Sequence, residues 1–224
     1  MTRQRMAVAA AIVAGVTAVI GGAAWAAAGP SPSTSDMKGA GYRSGMMSGA
    51  GMTGGAGMMR GPYGLPGDGQ RVESLDEARQ RAAAFADRLG LRVGETMQFT
   101  NGYYAELTTT TGRGATEVLI DPADGAVSIE YGPAMMWNIR NGMHAGATAA
   151  TARVSAAEAA TIVQGWLDRQ GTGLAAGDAD EFPGYYTLHT LRDGKPVGML
   201  SVNAYTGAVW DHTWHGTFVT MSEE

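Results

Sequence analysis

Asn203-Ala204-Tyr205-Thr206-Gly207-Ala208-Val209 restates, 82 residues later, Asp121-Pro122-Ala123-Asp124-Gly125-Ala126-Val127. Each stretch reads as the end of one strand, a turn closed by glycine and the start of the next strand. Moving outward, Gly184-Tyr185-Tyr186 matches Gly102-Tyr103-Tyr104 at the same shift of 82. Further out, Ser155-Ala156-Ala157-Glu158 matches Ser74-Leu75-Asp76-Glu77 at a shift of 81, so one extra residue falls between helix and strand. A cap, an aromatic strand and a turn that recur in one order at one spacing indicate a tandem repeat.

Both Ser-x-x-Glu stretches read as capping boxes that open helices. Leu75, Ala78, Ala82, Phe85 and Leu89 share one helical face, and Ala156, Ala159, Val163 and Trp166 share the corresponding face of the second copy. Gly90 is placed to end the first helix in a left-handed conformation. Strands are expected at Thr96–Phe99, Tyr103–Thr110, Glu117–Asp121 and Ala126–Tyr131. The expected fold is α+β, with two tandem units at 71–145 and 150–220. Each is one helix packed on an antiparallel sheet of about three strands. Units of about 60 residues are small for independent stability, which points to packing between them through sheet edges or uncovered faces.

The pattern Leu200-Ser201-Val202-Asn203-Ala204-Tyr205-Thr206-Gly207-Ala208-Val209, set after a helix with an Ala/Glu-rich cap, resembles the PepSY domain. Val118-Leu119-Ile120-Asp121-Pro122-Ala123-Asp124-Gly125-Ala126-Val127 is a degraded form of it. The resemblance covers roughly residues 72–135 and 154–218. It implies a small, extracytoplasmic, non-catalytic protein of the cell envelope. Such a protein would bind or regulate an envelope protein or peptide, and sheet edges offer strand addition as the means. The sequence contains no H-E-x-x-H helix, so a propeptide role in cis is not expected.

Residues 1–28 fit an export signal. Arg3 and Arg5 precede an uncharged run from Met6 to Ala28 that ends in small residues suited to cleavage. Left uncleaved, residues 6–28 are long enough to anchor the chain, since about 20 apolar residues span a bilayer. Either way the remainder faces outward. Residues 29–70 read as a disordered Gly/Met-rich linker of low complexity. The chain has no cysteine, which removes disulfides, thiolate metal sites and thiol nucleophiles. With 16 basic and 21 acidic side chains it carries no basic footprint for nucleic acid.

No catalytic residue is expected, for neither a G-x-S-x-G elbow nor a phosphate-holding glycine loop is present. Three groups carry possible chemistry. The linker methionines Met46, Met47, Met52, Met58 and Met59, with Met37, are soft thioether donors suited to Cu(I) or Ag(I). Met135, Met136 and Trp137 read as packing between the units, with Met143 and His144 exposed beside them. Last, Tyr185, His189, His212 and Trp214 line a candidate ligand pocket on one sheet face. If Trp210–His215 is a strand throughout, His212 and His215 point to opposite faces; a turn at Trp214 would bring them together. Two functions follow: a PepSY-like binding or regulatory protein, or a metal-handling protein that uses its Met-rich linker.

Overall fold

The computed structural model describes residues 63–146 and 151–222. All lie in one compact unit, Gly51–Glu224. The expected export signal at 1–28 and most of the expected linker, with all six of its methionines, lie outside the described residues. The fold is α+β with two antiparallel sheets.

The first half runs β1 (Gly64–Leu65), α1 (Leu75–Leu89), β2 (Arg92–Phe99), β3 (Gly102–Thr108), β4 (Gly114–Ile120), β5 (Val127–Ile129) and the one-turn α2 (Pro133–Met136). The second runs α3 (Ala156–Gln170), β6 (Ala175–Phe182), β7 (Tyr185–Arg192), β8 (Lys195–Asn203), β9 (Val209–Asp211) and β10 (Phe218–Ser222). One sheet has the order β1-β5-β4-β3-β2-β10 and the other β6-β7-β8-β9. Six and four strands replace the expected three per unit. The excess in the first sheet comes from its edges. Gly64–Leu65 pairs with β5, so the linker ends before residue 63 rather than at 70. β10 follows the second unit in sequence, yet pairs with β2 of the first sheet.

Both helices start as their sequences dictate. Ser155 and Glu158 form the full reciprocal box. At α1 the box is half made: the Ser74 hydroxyl accepts from Glu77 N–H, but the Glu77 carboxylate accepts from Glu73 N–H, one residue earlier than expected. Gly90 and Gly171 close the helices in the left-handed region.

Strand alternation then divides the side chains. Tyr103, Ala105 and Leu107 with Val118 and Ile120 meet Ala78, Ala82 and Phe85 of α1 in one apolar core. In the second half Tyr186, Leu188, Leu200 and Val202 meet Ala159, Val163 and Leu167 of α3. The opposite faces of the two sheets pack on each other. Met97, Phe99, Tyr104 and Met199 form the apolar part of that middle layer. The rest of it is polar and fully or nearly fully buried: Glu117, Glu130, Thr187, Ser201 and His212. Among the described residues no helix is long and apolar enough to cross a membrane.

Candidate metal centre

The middle layer owes its polarity to register. Val127 and Ile129 of β5 face α1, so Ser128 and the next residue, Glu130, face the second sheet. Glu130 N–H donates to Glu117 O at 2.9 Å, which sets the two acids side by side. Both side chains are wholly buried.

The second half supplies the histidines. β9 ends at Asp211, so the extended segment through His215 does not form. A turn follows, with Thr213 N–H donating to Asp211 O and His215 N–H donating to His212 O. Of the two alternatives in the sequence, a continuous strand and a turn, the turn is the one found, and alternation stops where the strand stops. The turn is fixed at both ends. β9 pairs with β8 before it, and β10 pairs with β2 after it. Asn101, in the β2–β3 turn, closes the loop from below. Its Nδ2 donates to Trp214 O and its Oδ1 accepts from Gly216 N–H, both at 2.8 Å.

Three donors converge as a result. His215 Nε2 lies 2.9 Å and His212 Nδ1 3.5 Å from Glu130 Oε1, and the three ligand atoms all lie within 4.8 Å of one another. Neither histidine nitrogen is satisfied by a hydrogen bond, and Glu130 Oε2 has no partner at all. The 2.9 Å contact is close enough for one but not aligned for it. Bonds of about 2.0–2.1 Å to a tetrahedral ion put neighbouring donors about 3.3 Å apart, and the two measured separations, 2.9 and 3.5 Å, bracket that figure. Buried polar atoms are almost always hydrogen-bonded, so two orphaned imidazole nitrogens against one carboxylate oxygen, with the other oxygen of that carboxylate also orphaned, call for an occupant.

Surrounding groups hold the donors. Ser201 Oγ lies 2.9 Å from His212 Nε2 and 2.8 Å from Thr187 Oγ1. When Nε2–H donates to Ser201, the lone pair of Nδ1 is left for the centre. Trp214 Nε1–H donates to Glu130 Oε1 at 3.1 Å, and its ring stacks on His212 with centroids 4.6 Å apart. His215 stacks on Phe99 at 4.2 Å. Trp214 needs the glycine at 132, where a Cβ would stand 2.6 Å from the indole and where φ is +88°.

Electrostatics divide the two acids. Burial pushes the Glu130 carboxyl up, but His212 and His215 outweigh it and hold it down at about 2. Burial and the Glu130 charge push Glu117 up to about 7, against the pull of His212 and two phenols. Those phenols, Tyr104 and Tyr185, donate to Glu117 Oε1 at 2.8 Å and Oε2 at 2.7 Å. Burial lowers His212, yet Glu130 more than offsets it, so the imidazole lies above its ordinary value. Without metal the Glu130 carboxylate favours the protonated form of His212. A metal ion would displace that proton.

Of the expected pocket residues, His212 and Trp214 come together and Tyr185 joins them through Glu117. His189 does not. Met199 stands opposite it on β8, and its Nε2 pairs instead with Glu95 Oε1 at 3.0 Å. Glu130, Ser201 and Glu117 were absent from the sequence-based candidates, and His215 was weighed beside His212 but left out of the pocket. Ser128 and Glu130 alternate with Val127 and Ile129 like a solvated strand face, and only the second sheet makes that face interior. Met135 packs against the first core, Trp137 meets Trp210 edge-on at 5.3 Å, and Met136 and Met143 are exposed.

No family model, curated protein or solved structure matches the chain.

Proposed function

We propose that this chain is a non-catalytic, extracytoplasmic PepSY-like binding protein, built from two copies of one helix-and-meander unit. We propose further that it binds a divalent transition-metal ion through Glu130, His212 and His215. The observation that carries the metal reading is the convergence on one buried carboxylate oxygen of two buried imidazole nitrogens that have no hydrogen bonds to satisfy them. Imidazole with carboxylate suits Zn(II) or Cu(II) better than the Cu(I) expected of thioethers. The charged start and uncharged run of residues 1–28 support export, and the in-register repeats support the PepSY-like reading.

The test is titration of metal-free full-length protein with Zn(II), Cu(II) and, under reducing conditions, Cu(I) against a competing chelator, with bound metal counted by atomic emission. One ion per chain is expected, lost in His215→Ala and Glu130→Ala and kept when residues 37–60 are deleted. Binding that survives both substitutions but disappears with the deletion would move the site to the linker methionines, with Cu(I) or Ag(I) as the ion. No binding in any form would reject metal handling.

A further inference from the structure

We infer that a metal ion held by Glu130, His212 and His215 keeps one coordination position open toward the cleft beside His215, and that a small monoanion fills it. This rests on the metal-binding reading above. Structural zinc sites are closed by four protein ligands, whereas sites with three protein ligands leave a position for an outside donor. Among the described residues no fourth His, Asp or Glu joins the group. Glu117, the other buried carboxylate, has both oxygens taken by the Tyr104 and Tyr185 hydroxyls.

Only one side of the centre is reachable. Glu130 and His212 side chains are 0% exposed, and His215 keeps 6%. Phe99 covers one face of the His215 ring, and Ser201 backs His212. His215 and Trp214 border a cleft of about 710 Å³, whose other walls include Asn101, Leu119, Ser128 and Tyr131. An outside donor therefore arrives past His215 and Trp214.

Charge and width select the ligand class. A divalent ion with one carboxylate leaves one positive charge in a buried site, and an unbalanced buried charge is costly. A monoanion cancels it. Tyr131 and Trp214 pack on each other at that wall, with ring centroids 5.2 Å apart, and the His215 side chain keeps only 6% exposure, so the donor is small: a halide, an azide or a single carboxylate. The rim acids Asp121 and Asp124 are turned onto their own loop amides, those of Ala123 and Ala126.

The experiment uses full-length protein loaded with Co(II), its metal content fixed by atomic emission, and titrated with azide while the visible spectrum is followed. A saturable band shift at one azide per cobalt is expected. Ser128→Phe should keep the cobalt and weaken the azide response by about tenfold or more, because its ring would fill the cleft on the face that carries Glu130. Bound cobalt whose spectrum azide leaves unchanged would overturn the open position while leaving the metal centre standing. An unaltered azide response in cobalt-loaded Ser128→Phe would overturn the cleft as the route. Failure to bind cobalt would reject the metal centre and this inference together.

Discussion

Tyr185→Phe removes one oxygen and should loosen the contact between the two sheets. The phenol belongs to β7 of the second sheet, and its acceptor, Glu117 Oε2, to β4 of the first, at 2.7 Å. Both residues are 0% exposed. The ring itself stays, stacked on Phe182 at 5.0 Å, so no cavity larger than the hydroxyl opens. What remains is a carboxyl oxygen in the interior without its donor, which costs about 1–3 kcal/mol. Taking about 2 kcal/mol, and about 2–4 °C per kcal/mol for a domain of this size, the midpoint should fall by about 4–8 °C. Thermal unfolding of the metal-free protein measures it. Tyr186→Phe is the matched control, for its hydroxyl donates to Val154 O within the second half at 2.9 Å and part-exposed. That bond should be worth about 1 kcal/mol. A Tyr185→Phe cost no greater than that of Tyr186→Phe would refute the claim that the acid is bridged across the sheets. So would a double-mutant cycle with Glu117→Gln that shows no coupling.

His189 sits above its ordinary value of 6.5: burial pulls it down, but the hydrogen bond and charge of Glu95 outweigh that, with Asp180 and Glu117 adding to them. A histidine raised on folding contributes stability that is whole below pH 6.5 and is lost as pH rises through the raised value; His189→Gln should flatten that part of the stability–pH curve while the His212 part remains. Ser201→Ala removes the partner of His212 Nε2 and should weaken metal binding about 10–100-fold without changing the stoichiometry, read by chelator competition. Gly132→Ala drives a methyl into the Trp214 ring at a backbone φ of +88° and should both destabilise the protein and shift its tryptophan emission; unchanged emission would show that the indole is not seated there.

Local signals in the sequence were sufficient for the two long helices and the paired turns, and insufficient for several strands, β1 and β10 among them, and for the assembly. Ser155 and Glu158 declare the start of α3, and the paired turns at residues 121–127 and 203–209 declare the meanders, because each acts within a few residues. β10 carries no such mark. Its partner β2 is more than a hundred residues away, and the five residues Phe218–Ser222 read alone as a tail. The same distance hid the centre. Glu130 looks solvated until a second sheet covers it, and His212 and His215 look divergent until β9 is seen to end at Asp211. Tyr185, His212 and Trp214 were legible because aromatic and imidazole side chains stand out on a strand face. Their shared partners, Glu117 and Glu130, were not, since acids at alternate strand positions ordinarily mean water.

The polar middle layer also bears on why neither half would persist alone. Each outer face has its own apolar core with a helix, so each half has some independent reason to fold. The inner faces do not match that pattern. Glu117 and Glu130 in the first half would meet water if the second were removed, and Met97, Phe99 and Tyr104 beside them would be uncovered. The second half would lose the carboxylate that faces His212 and His215 and the Asn101 clamp on their loop. Apolar inner faces would have held the halves together more cheaply, for buried ionic groups seldom add stability over well-packed hydrophobic ones. A layer that keeps two acids and two histidines at its centre is better suited to an occupant that exists only after assembly. The donors come from both halves, so metal affinity should vanish when the halves are separated even if each retains its helix and meander.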